Sequence, residues 1–470
     1  MAAGITSLSA MAIAAGIRGG RFTARAVTEA HLARIEAHDG ALGAFTAVTR
    51  ERALAEADAV DRSRAKGLAL GPLAGVPFAV KNLFDIEGLA TRAGSRINRG
   101  YAPATRDAAL ITRLNRAGAV LLGALNMGEY AYDFTGENAH DGPSRNPHDP
   151  GRMSGGSSGG SGTAAAAGLA PVTLGSDTNG SIRVPASLCG LFGLKPTYGR
   201  LSKAGTFPFV ASFDHLGPLA RSTADCAAFY DAMSGYDPDD PVCRDRPAEP
   251  LLPVLDQGIG GLRIARAAGY FDRSASAQAL AATDRVAQAL GAASGLEIAG
   301  VAEARAAAYV ITNSEGGALH LDRLRARPHD FDPDTRDRFI AGALLPAAYV
   351  NKAQRFRGRF RKAMLDLFRD VDVIIAPATP TQAPVLGQRT FALGGVTLPV
   401  RASLGLFTQP FSFIGLPVMA VPVWLHGETL PMGVQVIAAP WREDIVLRVS
   451  ALLERQGVVA SKVARLGETA

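Results

Sequence analysis

The chain predicts an α/β protein, a sheet covered by helices, and three observations carry that reading. Helical and strand-like segments alternate from the N-terminus onward. Two long stretches, 153–176 and 402–427, contain no Asp, Glu, Lys or Arg. They are broken by Gly and Ser or by Pro410, Pro417 and Pro422, which suits buried strands and loops rather than a membrane span of about 20 apolar residues. The composition, 47% hydrophobic and 20% charged over 470 residues, supplies a large core.

Taken in order, Met1 to Ile17 carries no charged side chain, so it lacks the basic start of a secretory signal, and its Ala-rich stretch reads as a first helix. Thr23–His38 has helical spacing, with Ala26, Ala30, Ala33 and Ala37 on one face. Arg50–Lys66 is a second helix, charged on its outer side, so 1–66 reads as an N-terminal helical segment packed on the core. Leu73–Val80 is an apolar run of strand length that ends abruptly at Lys81. There follow a helix at Ala108–Ala117, a strand at Ala119–Ala124, a helix at Gly162–Gly168 and a strand at Pro171–Leu174. Asp237–Pro253 is rich in Pro and Asp and reads as a surface excursion. Val371–Ala376 and Pro417–Val423 are strand-like and complete the same sheet. Length alone would allow about three domains. With no linker dividing the chain and no internal repeat, the expectation is a single domain over 1–470.

The net charge of +6 is spread along the chain, which argues weakly for anionic ligands and more weakly still for nucleic acid, so no direct nucleic-acid partner is expected. The run RFRGRFRK (355–362) reads as a solvated or ion-paired basic helix face. Three cysteines, Cys189, Cys226 and Cys243, have no CxxC spacing, which excludes a disulfide framework and a zinc ribbon and fits a reducing cytoplasm. Cys189, flanked by apolar residues, reads as core rather than nucleophile. The eight histidines show no HxH or HExxH pattern, so neither a metal nor a cofactor is expected.

The chemistry is concentrated in two segments. Gly155 to Gly162 is a Gly/Ser run that could be a linker, a phosphate cradle or a nucleophile elbow. It lies before an Ala-rich helix start rather than between domains, and the lysine of a phosphate-binding loop is missing. The second segment, Gly175-Ser176-Asp177-Thr178-Asn179-Gly180-Ser181-Ile182-Arg183, changes the weighing. With Lys81 these stretches, GPLAGVPFAVKNLFDIEG (71–88), SGGSSGGSGTAAAAG (154–168) and GSDTNGSIRVPASLCGLFGLKPTYGRLS (175–202), resemble the amidase signature family.

The resemblance implies a mixed central sheet with helices on both faces and a signature core over 71–202. It also implies a catalytic relay in which Ser181 is acylated, Ser157 bridges and Lys81 is the base. Ser157 and Ser181 are 24 residues apart, as in the family. A serine hydroxyl is a weak nucleophile until a base removes its proton. A lysine can serve only when neutral, and lowering its pKa from about 10.4 to about 7 takes about 4.6 kcal/mol, mainly from desolvation. A lysine closing a buried apolar strand is placed for that. The family further implies a cis peptide between Gly156 and Ser157, and an oxyanion hole made by the backbone N–H groups of Asn179, Gly180 and Ser181. Family members commonly have Gly at the position of Asn179, so this side chain is a departure that bears on specificity.

Asp177 and Arg183 read as an ion pair anchoring the loop. Asn126, Glu129 and Tyr130 lie where family members line the acyl pocket, and Asn126 and Tyr130 are expected to bind substrate. His215 is the histidine a Ser-His-Asp alternative would need. A narrower likeness is carried by VKNLFDIEG (80–88), LGSDTNGSIRVPASLCG (174–190), SEGGALHLDRLRARPHDF (314–331), APATP (376–380) and GVQVIAAPW (433–441). It points to a branch acting on small, anionic, urea-like amides, with 1-carboxybiuret as the expected substrate. It also points to assembly with a small helical partner subunit, as a hetero-oligomer or a homodimer. A carboxylated substrate wants a cation, and Arg325 and Arg327 are the expected ones. The alternatives are the amidase component of a glutamyl-tRNA amidotransferase, a related small-amide hydrolase and an inactive scaffold; a lipid amidase would need a hydrophobic cap that is missing.

Overall fold

In the computed structural model, which describes residues 2–467, thirteen strands run in chain order: β1 Phe45–Val48, β2 Pro77–Lys81, β3 Val120–Leu125, β4 Val172–Asp177, β5 Phe192–Lys195, β6 His215–Ala220, β7 Ile264–Ala267, β8 Ala293–Leu296, β9 Val373–Pro377, β10 Thr390–Leu393, β11 Val396–Pro399, β12 Val418–Val423 and β13 Met432–Ala438. Eleven form one sheet in the order β1-β3-β2-β4-β6-β5-β12-β13-β9-β7-β8, while β10 and β11 pair as a separate hairpin. The sheet is mixed: β2 runs parallel to both β3 and β4, and β4 pairs antiparallel with β6. Every residue of β2, β4, β5, β6, β12 and β13 is buried, which is why these strands read as continuous apolar runs rather than alternating ones. Helices flank the sheet, and Val371–Ala376 and Pro417–Val423 contribute strands to it as expected. Among the described residues no helix is long and apolar enough to cross a membrane.

The parallel pairing of β2 and β4 places the site. Their register aligns Val80 with Leu174, so Lys81 and the Ser176–Asp177 end of β4 lie at the same, C-terminal end of the two parallel strands. The helix Gly159–Ala166 packs behind them, and all of its residues are buried. Its glycines are there for contact rather than flexibility: a Cβ on Gly160 would lie 2.6 Å from the Asn126 backbone N. The Gly/Ser run is therefore a packed turn into a helix, not a linker.

Three expectations shift. The run from Leu73 forms a turn first, and its strand begins only at Pro77, because Gly75 adopts φ +69°. The helix predicted at Thr23–His38 runs Ala24–Leu42, and it buries Val27, His31 and Ile35 with Ala24, Thr28 and Leu32. Ala26, Ala33 and Ala37 face outward, because bulkier side chains one position away fill the interface better. The 1–66 segment is not wholly helical: β1 leaves it to pair with β3 at the edge of the sheet.

Candidate active site

Lys81, the last residue of β2, is fully buried. Its Nζ donates to Ser157 Oγ at 2.6 Å and to Ser176 Oγ at 2.9 Å. Burial lowers its pKa to about 7, against the opposing pull of Asp214, Asp177 and Asp133. The Gly156–Ser157 peptide is cis, as the family resemblance implied. Ser158 then ties this turn to β4, its Oγ donating to the Ser176 carbonyl at 3.2 Å and accepting from the Ser176 N–H at 3.3 Å.

The loop from β4 to the helix Arg183–Cys189 carries Ser181, which is 3% exposed. Asp177 and Arg183 close the two ends of that loop with bonds of 2.9 Å from Nε and from Nη2, both partners fully buried. Burial would raise the Asp177 carboxyl, but the charge and hydrogen bonds of Arg183, joined by Lys195, hold it well below the usual carboxylate range. Arg183 also donates to the Thr408 carbonyl, to Gln435 Oε1 and to Ser412 Oγ. Gly180 adopts φ +143°, and a Cβ there would run into Thr408 Oγ1, so only glycine fits. Among the described residues the backbone N–H groups of Asn179, Gly180 and Ser181 have no protein acceptor, whereas the next one, of Ile182, bonds Asp177 Oδ2. Three consecutive free donors beside a serine hydroxyl are what an oxyanion requires.

Ser181, Asn179 and Thr178 line a narrow cleft. Its other walls are Ala131 to Phe134, Phe209, Tyr309 and Thr312 from the helix Val301–Ala326, Arg338 from the helix Pro333–Ala343, and Ala402 and Gln409. The Arg338 guanidinium carbon lies over the Tyr132 ring, 3.7 Å from its centroid. Its Nε donates to the Asp334 carbonyl at 3.0 Å and its Nη2 to the Tyr132 carbonyl. Among the described residues no carboxylate lies within ion-pairing distance of it.

Several predicted substrate contacts fall elsewhere. Asn126 spends its amide on backbone, donating to the Gly43 and Gly142 carbonyls and accepting from the Met127 N–H. Tyr130 is buried under the cleft against His320, its hydroxyl donating to Asn98 Oδ1, and Tyr132 two residues on reaches the cleft instead. Glu129 anchors Ser95, His140 and the Asp332 N–H. Arg325 and Arg327 stand at the exposed end of their helix, paired with Asp322 and Asp330, and neither lines the cleft. The helix that carries the distinguishing 314–331 segment meets the cleft through Tyr309 and Thr312, which precede that segment. Cys189 is core, its thiol pushed up by burial. His215 sits behind the loop, its Nδ1 at the Asp177 carbonyl, and does not line the cleft. Sequence reasoning misses Ser176, Thr312 and Arg338; Ser176 lies inside the signature stretch, whereas nothing local marks the other two.

An alternating mixed sheet with this Lys–Ser pair and signature loop defines an amidase, and the chain belongs to that family: the Amidase family model matches residues 26–447. Among relatives, the AtzE component of the 1-carboxybiuret hydrolase of Pseudomonas sp. (strain ADP) is 57% identical, the match covering 95% of this chain and 98% of that one. One component of the glutamyl-tRNA(Gln) amidotransferase of Synechococcus sp. (strain CC9311) is 37% identical over 95% of this chain and 96% of its own length. A solved structure described as an unexpected vestigial protein complex revealing the evolutionary origins of an s-triazine catabolic enzyme superposes with a TM-score of 0.96. It is 56% identical and covers 97% of this chain and all of the other.

Proposed function

We propose that this amidase hydrolyses 1-carboxybiuret, releasing ammonia through an acyl-enzyme on Ser181. The observation that carries the substrate class is Arg338, a guanidinium in the same cleft as Ser181 with no carboxylate of its own to pair. A small substrate bearing a carboxylate and a terminal amide would place the first on Arg338 and the second at Ser181. The 57% identity to a 1-carboxybiuret hydrolase component supports the particular compound. Glutamine also has both groups, and the relatives at 37% identity make it the second reading.

In the proposed relay, neutral Lys81 takes the proton of Ser157 as Ser157 takes that of Ser181. The Ser181 oxygen attacks the amide carbonyl, and the three free N–H groups hold the oxyanion. The proton returns to the leaving nitrogen, ammonia departs, and water hydrolyses the ester by the same route. Among the described residues no hydrogen bond joins Ser157 Oγ to Ser181 Oγ; catalytic contacts of this kind tighten when substrate binds. Assembly with a partner subunit is part of the proposal. The neighbour described as a protein complex supports it, as do the exposed apolar side chains of Leu344 and Tyr349 on neighbouring helical segments. The three unpaired, buried cysteines support a cytoplasmic setting.

The test is ammonia release from 1-carboxybiuret, biuret and glutamine by wild type and Arg338→Gln. The expected result is preference for the carboxylated urea amide, with KM raised about 100-fold in the variant and the uncharged biuret little affected. Turnover of glutamine alone would replace this reading with the amidotransferase one.

A further inference from the structure

Asn179 stands in the loop that bears Ser181, 5% exposed, with its side chain on the cleft wall. The two ends of its amide are in different situations. Nδ2 donates to Thr312 Oγ1 at 2.9 Å, across the cleft on the helix Val301–Ala326. Oδ1 is buried and has no hydrogen-bond partner. The backbone carbonyl of the same residue accepts from Thr408 Oγ1 at 2.7 Å, so the main chain is tied there while the Thr312 bond holds the side chain. A buried carbonyl oxygen without a donor is unfavourable until something supplies one, and here the residue that carries it lines the same cleft as Ser181.

We propose that Asn179 Oδ1 accepts a hydrogen bond from the substrate N–H on the acyl side of the scissile carbonyl. The cleft then selects amides of the form NH–CO–NH2 over carbon-chain amides of the form CH2–CO–NH2. The inference rests on the reading of the cleft as a urea-amide hydrolase site and adds a residue to it. Asn179 contributes both a backbone N–H to the oxyanion hole and a side chain to the wall of the same cleft, so a group next to the scissile carbonyl is the nearest candidate donor to Oδ1. A ureido nitrogen there donates to Oδ1. A methylene cannot, and leaves the oxygen without a donor. A site that keeps a buried polar atom for a substrate N–H rejects the analogue without it far more strongly than a purely apolar wall does. Glutamine is a carbon-chain amide, so the same atom separates the two readings of the cleft.

The experiment uses two substrate pairs that differ only in this group, biuret against malonamide and allophanate against malonamate. kcat/KM is measured for wild type, Asn179→Gly and Thr312→Val, with 1-carboxybiuret and glutamine alongside and Ser181 labelling as the check on folding. Wild type should favour the NH member of each pair. Asn179→Gly should cut that preference by about 10-fold or more, through loss on the NH member, and Thr312→Val should cut it in the same direction but less. Comparing each variant's ratio with that of wild type cancels the intrinsic reactivities of ureas and amides. A preference unchanged in both variants overturns the role of Asn179 and leaves the urea-amide reading standing. Preference of wild type for the methylene members and glutamine overturns both. Should Asn179→Gly fail to label, Thr312→Val decides alone, because its unchanged preference would have the same meaning.

Discussion

Two lysines in this molecule look alike from a distance. Lys81 ends β2 and Lys195 ends β5; both are fully buried, and burial lowers the pKa of both. Their partners separate them. Lys81 meets two hydroxyls, Ser157 and Ser176, which can give as well as receive a proton. Lys195 meets the carbonyls of Pro196 and Leu416, which can only accept, and it stands beside Arg183 on the far side of the anchored loop. Desolvation prepares both nitrogens, but only one has something to take a proton from. A depressed lysine pKa marks a functional group only together with the chemistry of its neighbours.

The largest effect should come from exchanging each for methionine. Lys81→Met is expected to lower kcat by about 10⁴-fold or more, and Lys195→Met by less than about 10-fold. Equal losses would erase the distinction. Stability should follow another sign. The folded pKa of Lys81 lies below that of the unfolded chain, so its burial cost is complete below about pH 7 and disappears as the pH climbs past the unfolded value. Lys81→Met should therefore be more stable than wild type by about 1–3 kcal/mol at pH 6, with a smaller gain at pH 9, as read by thermal unfolding.

The pH profile sharpens the comparison next. With Lys81 acting as a neutral base, kcat/KM should rise with pH through about 7 and then level off. A flat profile from pH 5 to 9 would remove lysine from the relay. The smallest effect belongs to Ser176→Ala, which should cost less than about 10-fold in kcat. Ser176 accepts a hydrogen bond from the Lys81 nitrogen and so favours its charged form. Without it the acidic limb should move to lower pH, and a move to higher pH would mean that Ser176 does not hold the ammonium.

The same contrast explains what is legible in the sequence. Lys81, Ser157 and Ser181 lie in short segments rich in glycine and small residues or closing an apolar run, and it is the resemblance of those segments to the amidase signature, not pattern alone, that singles them out. Lys195 sits in the same signature stretch as Ser181, and nothing in the letters distinguishes an anchor from a base. The cleft walls are harder to read. Tyr309, Thr312 and Arg338 come from two helices whose approach to the signature loop is set by packing, as where Gly317 lies against Gly342 and Ala343. Arg325 and Arg327 are suitable by charge, yet helix geometry carries them to the solvent end. Asn126 and Tyr130 lie near the cleft but point at backbone and core, because direction along a chain with positive φ at Tyr130 and Ala131 cannot be read from residue type.

The anchoring of the signature loop has a consequence for how the protein is made. Arg183 is held by Thr408 and Gln435, 225 and 252 residues further along, and Thr408 also grips the Asn179 carbonyl. A ribosome delivers Lys81, Ser157 and Ser181 long before those fasteners emerge. The growing polypeptide thus carries every reacting group before the signature loop has its anchors, and these arrive only with Thr408 and with β13, which β12 joins to β5 in the middle of the sheet.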